Sequence, residues 1–463
     1  EFEFPGAGLQ KYFSGIITIF LREGYDTWEG ESFLILSTRG TTMSIINSFS
    51  VRRILKHMAT HDLCLIYSKD ELIRNHDVHY PFRPSSHFQY VCNLHETKVM
   101  LLLYKTENGH QISLFKPPYD AKAALWTTGR TPIEVLRQYE LHHVDELSAL
   151  PTYLTDTLKK INHVYADLAD PYVTALVQKL NAATPLKPLE PMMGKCRLHK
   201  DAQEIEKIKQ ALKFSRDGHI NVMQKAYPGI NEARLANEFL APASAHGIEQ
   251  LAYPSIVAGG KRACILHYTE NNQTIADGDL ILVDAGIEYA GYASDITRTF
   301  PVNGTFSSAQ RQLYEVVLNV QKNAINAINQ DISMADLTKQ SRENMLQNLL
   351  DIDFFKGSFT EHLEKNTLGR VFYHGLGHWM GLDVHDPCPY QNAEKKPLQF
   401  QDGMVFTVEP GIYVHPSPDL DEKWHHIGIR IEDNILIHGG EAVVLSADIP
   451  KEIDEVEAIC QKS

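Results

Sequence analysis

LILVDAGIEYAGYASDITRTFPVNG (280–304) sets two aspartates, Asp284 and Asp295, in runs that otherwise read as β-strand. A bare carboxylate beside Leu, Val and Ile is costly to bury, and a cation is the simplest compensation. The two acids are eleven positions apart, with AGIEYAGYAS and its turn-forming glycines between them. A turn centred between Tyr289 and Ala290 places them directly opposite each other across a hairpin, where Cβ atoms lie about 4.5–5.5 Å apart. Like charges at that distance repel, and one or two divalent ions reverse the sign. A bulge would shift this register.

Two later runs, GMVFTVEPGIYV (403–414) and IGIRIEDNILI (427–437), are rich in β-branched residues and carry Glu409 and Glu432. They flank HPSPDLDEKWHH (415–426), a loop with two prolines, so a second antiparallel pairing is expected to bring two more carboxylates to the same face. HGLGHWMGLDVHD (374–386) supplies His378. His374 and His378 are spaced i, i+4, but Gly375 and Gly377 disfavour a regular helix there and leave the approach to His378 flexible. Taken singly, each acid reads as an edge or salt-bridged residue and each histidine as a core residue. The joint set Asp284, Asp295, His378, Glu409 and Glu432 reads otherwise. Four carboxylates and one imidazole suit a pair of moderately hard divalent ions such as Mn²⁺. Such a pair can share one hydroxide and clamp both ends of a hydrolysis.

The rest of the chain frames this cluster. With 463 residues it can bury a large core in two domains. The formal charge of −14 argues against nucleic acid as a partner, which wants a basic face. No apolar run approaches the roughly 18 residues that span a bilayer, so no membrane association is expected. The six cysteines are scattered and form no CxxC. That pattern fits reduced thiols in a cytoplasmic compartment rather than a disulfide frame.

From Met43 to about residue 200, strand-like runs (64–68, 99–104, 110–115 and 164–170) alternate with helical ones, the longest expected over 144–161. This is a small α/β domain. Two prolines in LKPLEPMMGKCRLHK (186–200) mark its end. Asp201 and Glu204 then form a capping-box signal for a helix that ends at Tyr227-Pro228-Gly229. A helix over 231–241 is expected to stop or kink at Pro242. Ser307 and Gln310 open another helix through Ile328, and a further one covers 335–350. Residues 1–42 precede a convincing start at Met43 and are expected to be an extension outside both domains.

VDAGIEYAGYASDITRTFPVNG, HGLGHWMGLDVHD, TVEPGIY and GIRIEDN resemble the creatinase/aminopeptidase superfamily of metallopeptidases, and within it the bacterial Xaa-Pro aminopeptidase (aminopeptidase P) family. ACILHYTENN (263–272) adds to the match, and HDVHYPFRPSSHFQYV (76–91) and ALWTTGR (124–130) extend it more weakly into the first domain. The resemblance implies an α/β N-terminal domain (43–200) followed by an α+β pita-bread, creatinase-like catalytic domain (201–463). It implies release of an N-terminal residue ahead of proline in peptides, by a hydroxide bridging two divalent ions.

By the same resemblance Asp284 chelates one ion, Asp295 and Glu432 bridge both, and His378 and Glu409 hold the second. Glu409 also accepts the proton of the bridging water. His374 and His385 act around the substrate and its tetrahedral intermediate, and His267 lines the pocket. Arg430 supports a bridging ligand and the substrate end. Trp126 either reaches a neighbouring subunit's site in a homo-oligomer, a dimer or tetramer, or packs inside its own domain. The segment from Pro387 to Glu409 departs from the family in having no arginine to hold a free substrate carboxylate. Two other readings stay open: a prolidase restricted to Xaa-Pro dipeptides, and a pita-bread protein that binds without catalysing. Methionine aminopeptidase is disfavoured by the preceding domain and by the LDVHD and IRIED wording. A chain starting at Met43 is expected to remain soluble with unchanged specific activity, and an assay of that truncation checks it.

Overall fold

A computed structural model describes residues 44–126, 130–139, 141–180 and 183–461. The expected extension 1–42 lies outside them. The N-terminal half is a six-stranded sheet ordered His143–Glu146, Gly109–Lys116, Met100–Thr106, Asp62–Tyr67, His163–Ala166 and Leu186–Pro188. The middle pairs are antiparallel and the outer ones parallel. Strand alternation drives both of its faces. Cys64 and Ile66 face the helices Ser48–His57 and Ser86–Val91, while Leu63, Leu65 and Tyr67 face Leu150–Leu158 and Pro171–Leu180. Covering both faces of a partly parallel sheet with helices is the α/β solution that this sequence pattern calls for.

One expected helix divides. Residues 144–161 form the strand His143–Glu146, a short turn and then the helix Leu150–Leu158. Val144 is taken up by parallel pairing with Leu114, and Pro151 occupies the first turn of the helix, where its missing N–H is harmless.

The second half opens with the helix Ala202–Lys225, whose Asp201–Glu204 capping box is formed. Glu204 also contacts Arg53 at 3.4 Å and accepts from the Tyr292 hydroxyl at 3.0 Å, tying this helix start to both halves. The helix Glu232–Ser244 runs through Pro242 instead of stopping there. Helices Ser308–Ala327 and Met334–Asp351 also form as expected.

Two long hairpins carry the site. In the first, Leu280–Asp284 pairs with Thr297–Pro301, and the tip pairs Tyr289 with Tyr292. Ala290 and Gly291 both have positive φ, 49° and 84°, the backbone of a tight two-residue hairpin turn. The turn therefore centres one residue later than expected, and Asp284 faces Thr297, not Asp295. Moving the turn by one residue moves every partner by two, and a shift of two keeps side chains on the same face. Asp295 thus becomes the diagonal neighbour of Asp284, still on its side of the sheet.

In the second hairpin Val405–Val408 pairs with Asp433–His438, and Gly411–Tyr413 pairs with Gly428–Arg430. Val408 opposes Asp433 and Gly411 opposes Arg430, so a single register runs through both segments and places Glu409 opposite Glu432 at the break. Pro410, which cannot donate to a ladder, makes that break.

Asp201 accepts from the backbone N–H groups of Gln203 and Glu204, each at 2.9 Å. Asp201→Ala is expected to cost about 1 kcal/mol of stability, the usual value of a helix N-cap, measurable by urea unfolding.

Candidate active site

The two hairpins and the 374–386 segment meet at a cavity of about 620 Å³. Asp284, Asp295, His374, His378, His385, Glu409, Arg430, Glu432 and His267 all line it, with Pro254, Ile256, Leu266 and Val384 as apolar wall. Of the residues singled out from sequence, only Trp126 lies elsewhere. It is 88% exposed, so the reading that packs it inside its own domain does not hold.

Each acid is fixed by its backbone position and by polar neighbours, most of them from other strands. Ligand atoms of Asp295, His378 and Glu432 lie within 4.8 Å of one another. His378 Nε2 is 3.3 Å from Asp295 and 3.5 Å from Glu409, while its Nδ1 faces the Trp379 carbonyl at 3.2 Å. Thr297 donates to Glu432 at 2.7 Å, and Thr407 lies 3.3 Å from Glu409. Asn434 clasps the backbone of Asp295 on both sides, accepting from its N–H at 3.1 Å and donating to its carbonyl at 2.6 Å.

Gly377 is not a source of flexibility. A Cβ there would sit 1.9 Å from the Thr407 carbonyl oxygen, so the glycine permits close approach of two backbones. Thr407 Oγ1 accepts from His378 N–H at 3.0 Å, and Glu409 N–H donates to Leu376 at 2.8 Å. The histidine segment is thereby laced to the strand that ends at Glu409.

Arg430 donates to Asp284 at 2.5 Å, to Thr297 Oγ1 at 3.0 Å and to the Tyr413 hydroxyl at 2.9 Å. Its direct carboxylate partner is Asp284, it reaches Glu432 through Thr297, and it is buried. His374 has both nitrogens engaged, by the Gly375 carbonyl at 2.7 Å and by Tyr413 at 2.8 Å. Burial and the Arg430 charge push it down to about 3, so it is neutral.

Sequence reasoning missed Tyr253, Thr297, Thr407, Tyr413 and Asn434. The two threonines sit two positions from Asp295 and Glu409, so strand alternation could have found them. Tyr253 lies on an irregular segment with no pattern to mark it. Its hydroxyl is 2.6 Å from both Asp284 and Asp295. One O–H can donate to only one of them, so the other close oxygen pair calls for further positive charge.

That deficit is general. Four carboxylates line the cavity against one guanidinium. Burial raises Asp284 and Glu432 above the usual carboxylate range, with Asp295 adding to both. Burial lifts Glu409 to about 7, with Asp295 and Asp284 adding to it against His378 and Arg430. Burial alone would lower His378, but Asp295 and Glu409 overcome it and lift it to about 9. A buried oxygen-rich set with one imidazole and a shortage of positive charge fits divalent cations.

Comparison with known proteins agrees. Residues 206–439 match metallopeptidase family M24, and residues 50–165 match the aminopeptidase P N-terminal domain. A Xaa-Pro aminopeptidase of Haemophilus influenzae is 37% identical over 88% of this chain and 94% of its own length. One of Escherichia coli is 34% identical over 88% and 95%. Among solved structures, an Escherichia coli aminopeptidase P variant in complex with substrate superposes with a TM-score of 0.85 at 32% identity, covering 89% of this chain and 97% of that one. Proline aminopeptidase P II from Yersinia pestis gives 0.85 at 33%, covering 89% and 98%.

Glu409 and His378 hold their protons more tightly folded than unfolded. The stability they contribute is full below their ordinary values of 4.5 and 6.5 and is lost as pH rises through about 7 and about 9. The Tm of metal-free protein should therefore fall across that window. Added divalent metal should raise Tm more at about pH 8 than at about pH 6, because cations replace those protons. Thermal scans with and without chelator check both, and a metal-free Tm flat across the window would contradict the assignment.

Proposed function

The chain belongs to metallopeptidase family M24, as a member of its Xaa-Pro aminopeptidases, and from that premise we infer how this site works. The protein is a metal-dependent hydrolase that removes the N-terminal residue from peptides with proline second. The proposal concerns the ions and the residues. Asp284, Asp295, His378, Glu409 and Glu432 would hold two divalent ions, Mn²⁺ in the first instance, with Asp295 and Glu432 shared between them. Bound there, the ions supply a water activated near neutral pH and polarise the scissile carbonyl.

The protein groups do the rest. Glu409, on the cavity wall 3.5 Å from His378, accepts the proton of the attacking water. His385 lines the cavity with its ring centroid 3.9 Å from that of His378. It faces the scissile amide and donates to it. The prolyl nitrogen is a tertiary amide with no proton of its own, so it leaves only when protonated, by Glu409 or by His385. Pro254, Ile256, Leu266 and Val384 give a proline ring an apolar wall. His374, Tyr413 and Arg430 form a hydrogen-bonded chain that keeps Asp284 in place.

Among the described residues no helix is long and apolar enough to cross a membrane. All six cysteines are buried as thiols, which suits a reducing, cytoplasmic setting. The exposed Trp126 suits a homo-oligomer in which it meets a neighbouring copy.

The observation that carries this reading is the convergence of four carboxylates and an imidazole, from two hairpins and one loop, on a single cavity with an apolar wall. Metal analysis after reconstitution should give about two ions per chain. Xaa-Pro-Yaa tripeptides should be cleaved well and Xaa-Pro dipeptides poorly; the reverse order would restore the prolidase reading. His385→Ala should keep its metal while kcat falls by about 10²-fold, the scale of a lost acid or base. Loss of metal from that variant would make His385 a ligand instead.

A further inference from the structure

His385 sits on a stretch that no ladder holds. Residues 381–385 bend successively without helix or strand. The side chains of this loop sort by direction. Val384 and His385 face the cavity. Asp383 and Asp386 turn the other way, onto Arg197. The Arg197 guanidinium is 2.7 Å from Asp383 and also bonds Asp386 through the same nitrogen. The second oxygen of Asp386 takes Lys200 at 3.1 Å, and its first accepts the Asp383 N–H at 3.2 Å. Arg197, Lys200 and Asp386 have side chains no more than 1% exposed.

The grip extends to the N-terminal half. Ser86 donates to Asp383 at 2.5 Å, and His87 lies 3.2 Å from Arg197. Arg83 donates to the Leu382 carbonyl at 2.7 Å. Packing leaves the loop no alternative seat. A Cβ on Gly194 would lie 2.2 Å from the Pro387 carbonyl oxygen, and one on Gly381 would lie 2.8 Å from Asp386.

We propose that Arg197, acting through Asp383 and Asp386, is the positioning residue for His385, and that the N-terminal half thereby takes part in turnover. The two aspartates flank the histidine in sequence, so gripping both fixes the backbone that aims its ring. Charge-assisted hydrogen bonds are the strong ones, and one nitrogen of a planar guanidinium presents its two N–H groups in a fixed plane to the two carboxylates, where an ammonium rotates freely. The inference rests on the reading that His385 acts in turnover.

The test is a pair of double-mutant cycles on the metal-loaded full chain, with an Xaa-Pro-Yaa tripeptide as substrate. Arg197→Lys keeps the buried charge and loses the planar, rigid donor group. Asp383→Asn is the milder variant, because Asp383 is partly exposed and Asp386 still pairs with Arg197. Each should lower kcat by about tenfold with KM and metal content little changed, the scale of a misaimed catalytic group. In a His385→Ala background the same substitutions should change kcat by less than about twofold, because coupled residues are non-additive. Equal losses in both backgrounds would overturn the positioning role, as would unchanged kcat in both single variants or loss of metal from them. His385→Ala without effect on its own would overturn the role of His385, and this inference with it.

Discussion

Mutual repulsion among four carboxylates is the constraint around which the catalytic half is built. Asp284, Asp295, Glu409 and Glu432 would separate in water; here two hairpin backbones hold them facing one cavity. The surroundings answer that stress in three ways. Arg430 neutralises Asp284, with Thr297 and Tyr413 fixing the guanidinium. Threonines and the Asn434 amide hold the acids by uncharged hydrogen bonds that fix direction without cancelling charge. The charge that remains is left for cations. A site fully neutralised by its own side chains would be more stable empty and would bind metal less well.

Most of this was readable from the chain. Hydrophobic alternation located the strands, capping boxes located the helices, and the five candidate ligands all face one cavity. The first hairpin turns one residue later than its sequence suggests because turn position depends on which residues accept positive φ, and Ala290 carries no signal for it. The shift is harmless because strand faces repeat every two residues. The helix expected over 144–161 failed for a non-local reason: strand pairing with Leu114 outweighed local propensity. Tyr253, the Arg197 cluster and the closeness of Gly377 to Thr407 were hidden from sequence. Each joins segments more than 25 residues apart, and no periodicity reports on such contacts.

The histidines show how far residue type alone can mislead. His374, His378 and His385 fall within twelve residues of one another, yet their surroundings drive them apart. His374 is locked neutral beneath Arg430, His378 is charged by two carboxylates in the absence of metal, and His385 is lowered by burial and by the His378 charge. Environment moves three copies of one side chain in two opposite directions, His378 up and the other two down.

The apolar cluster of the N-terminal half does not end at the sheet it covers. Phe88, Leu101 and Leu103 share it with Ile208, Tyr292, Met380, Leu382 and Leu436 from the catalytic half. Two segments that look like separable modules therefore have one interior in common. Cutting between them would expose a hydrophobic face on each fragment, so neither is suited to expression alone or to exchange between relatives. Heating should melt both in one cooperative step, and a lesion in either half would register as reduced abundance of the whole enzyme before any chemistry at the active site is touched.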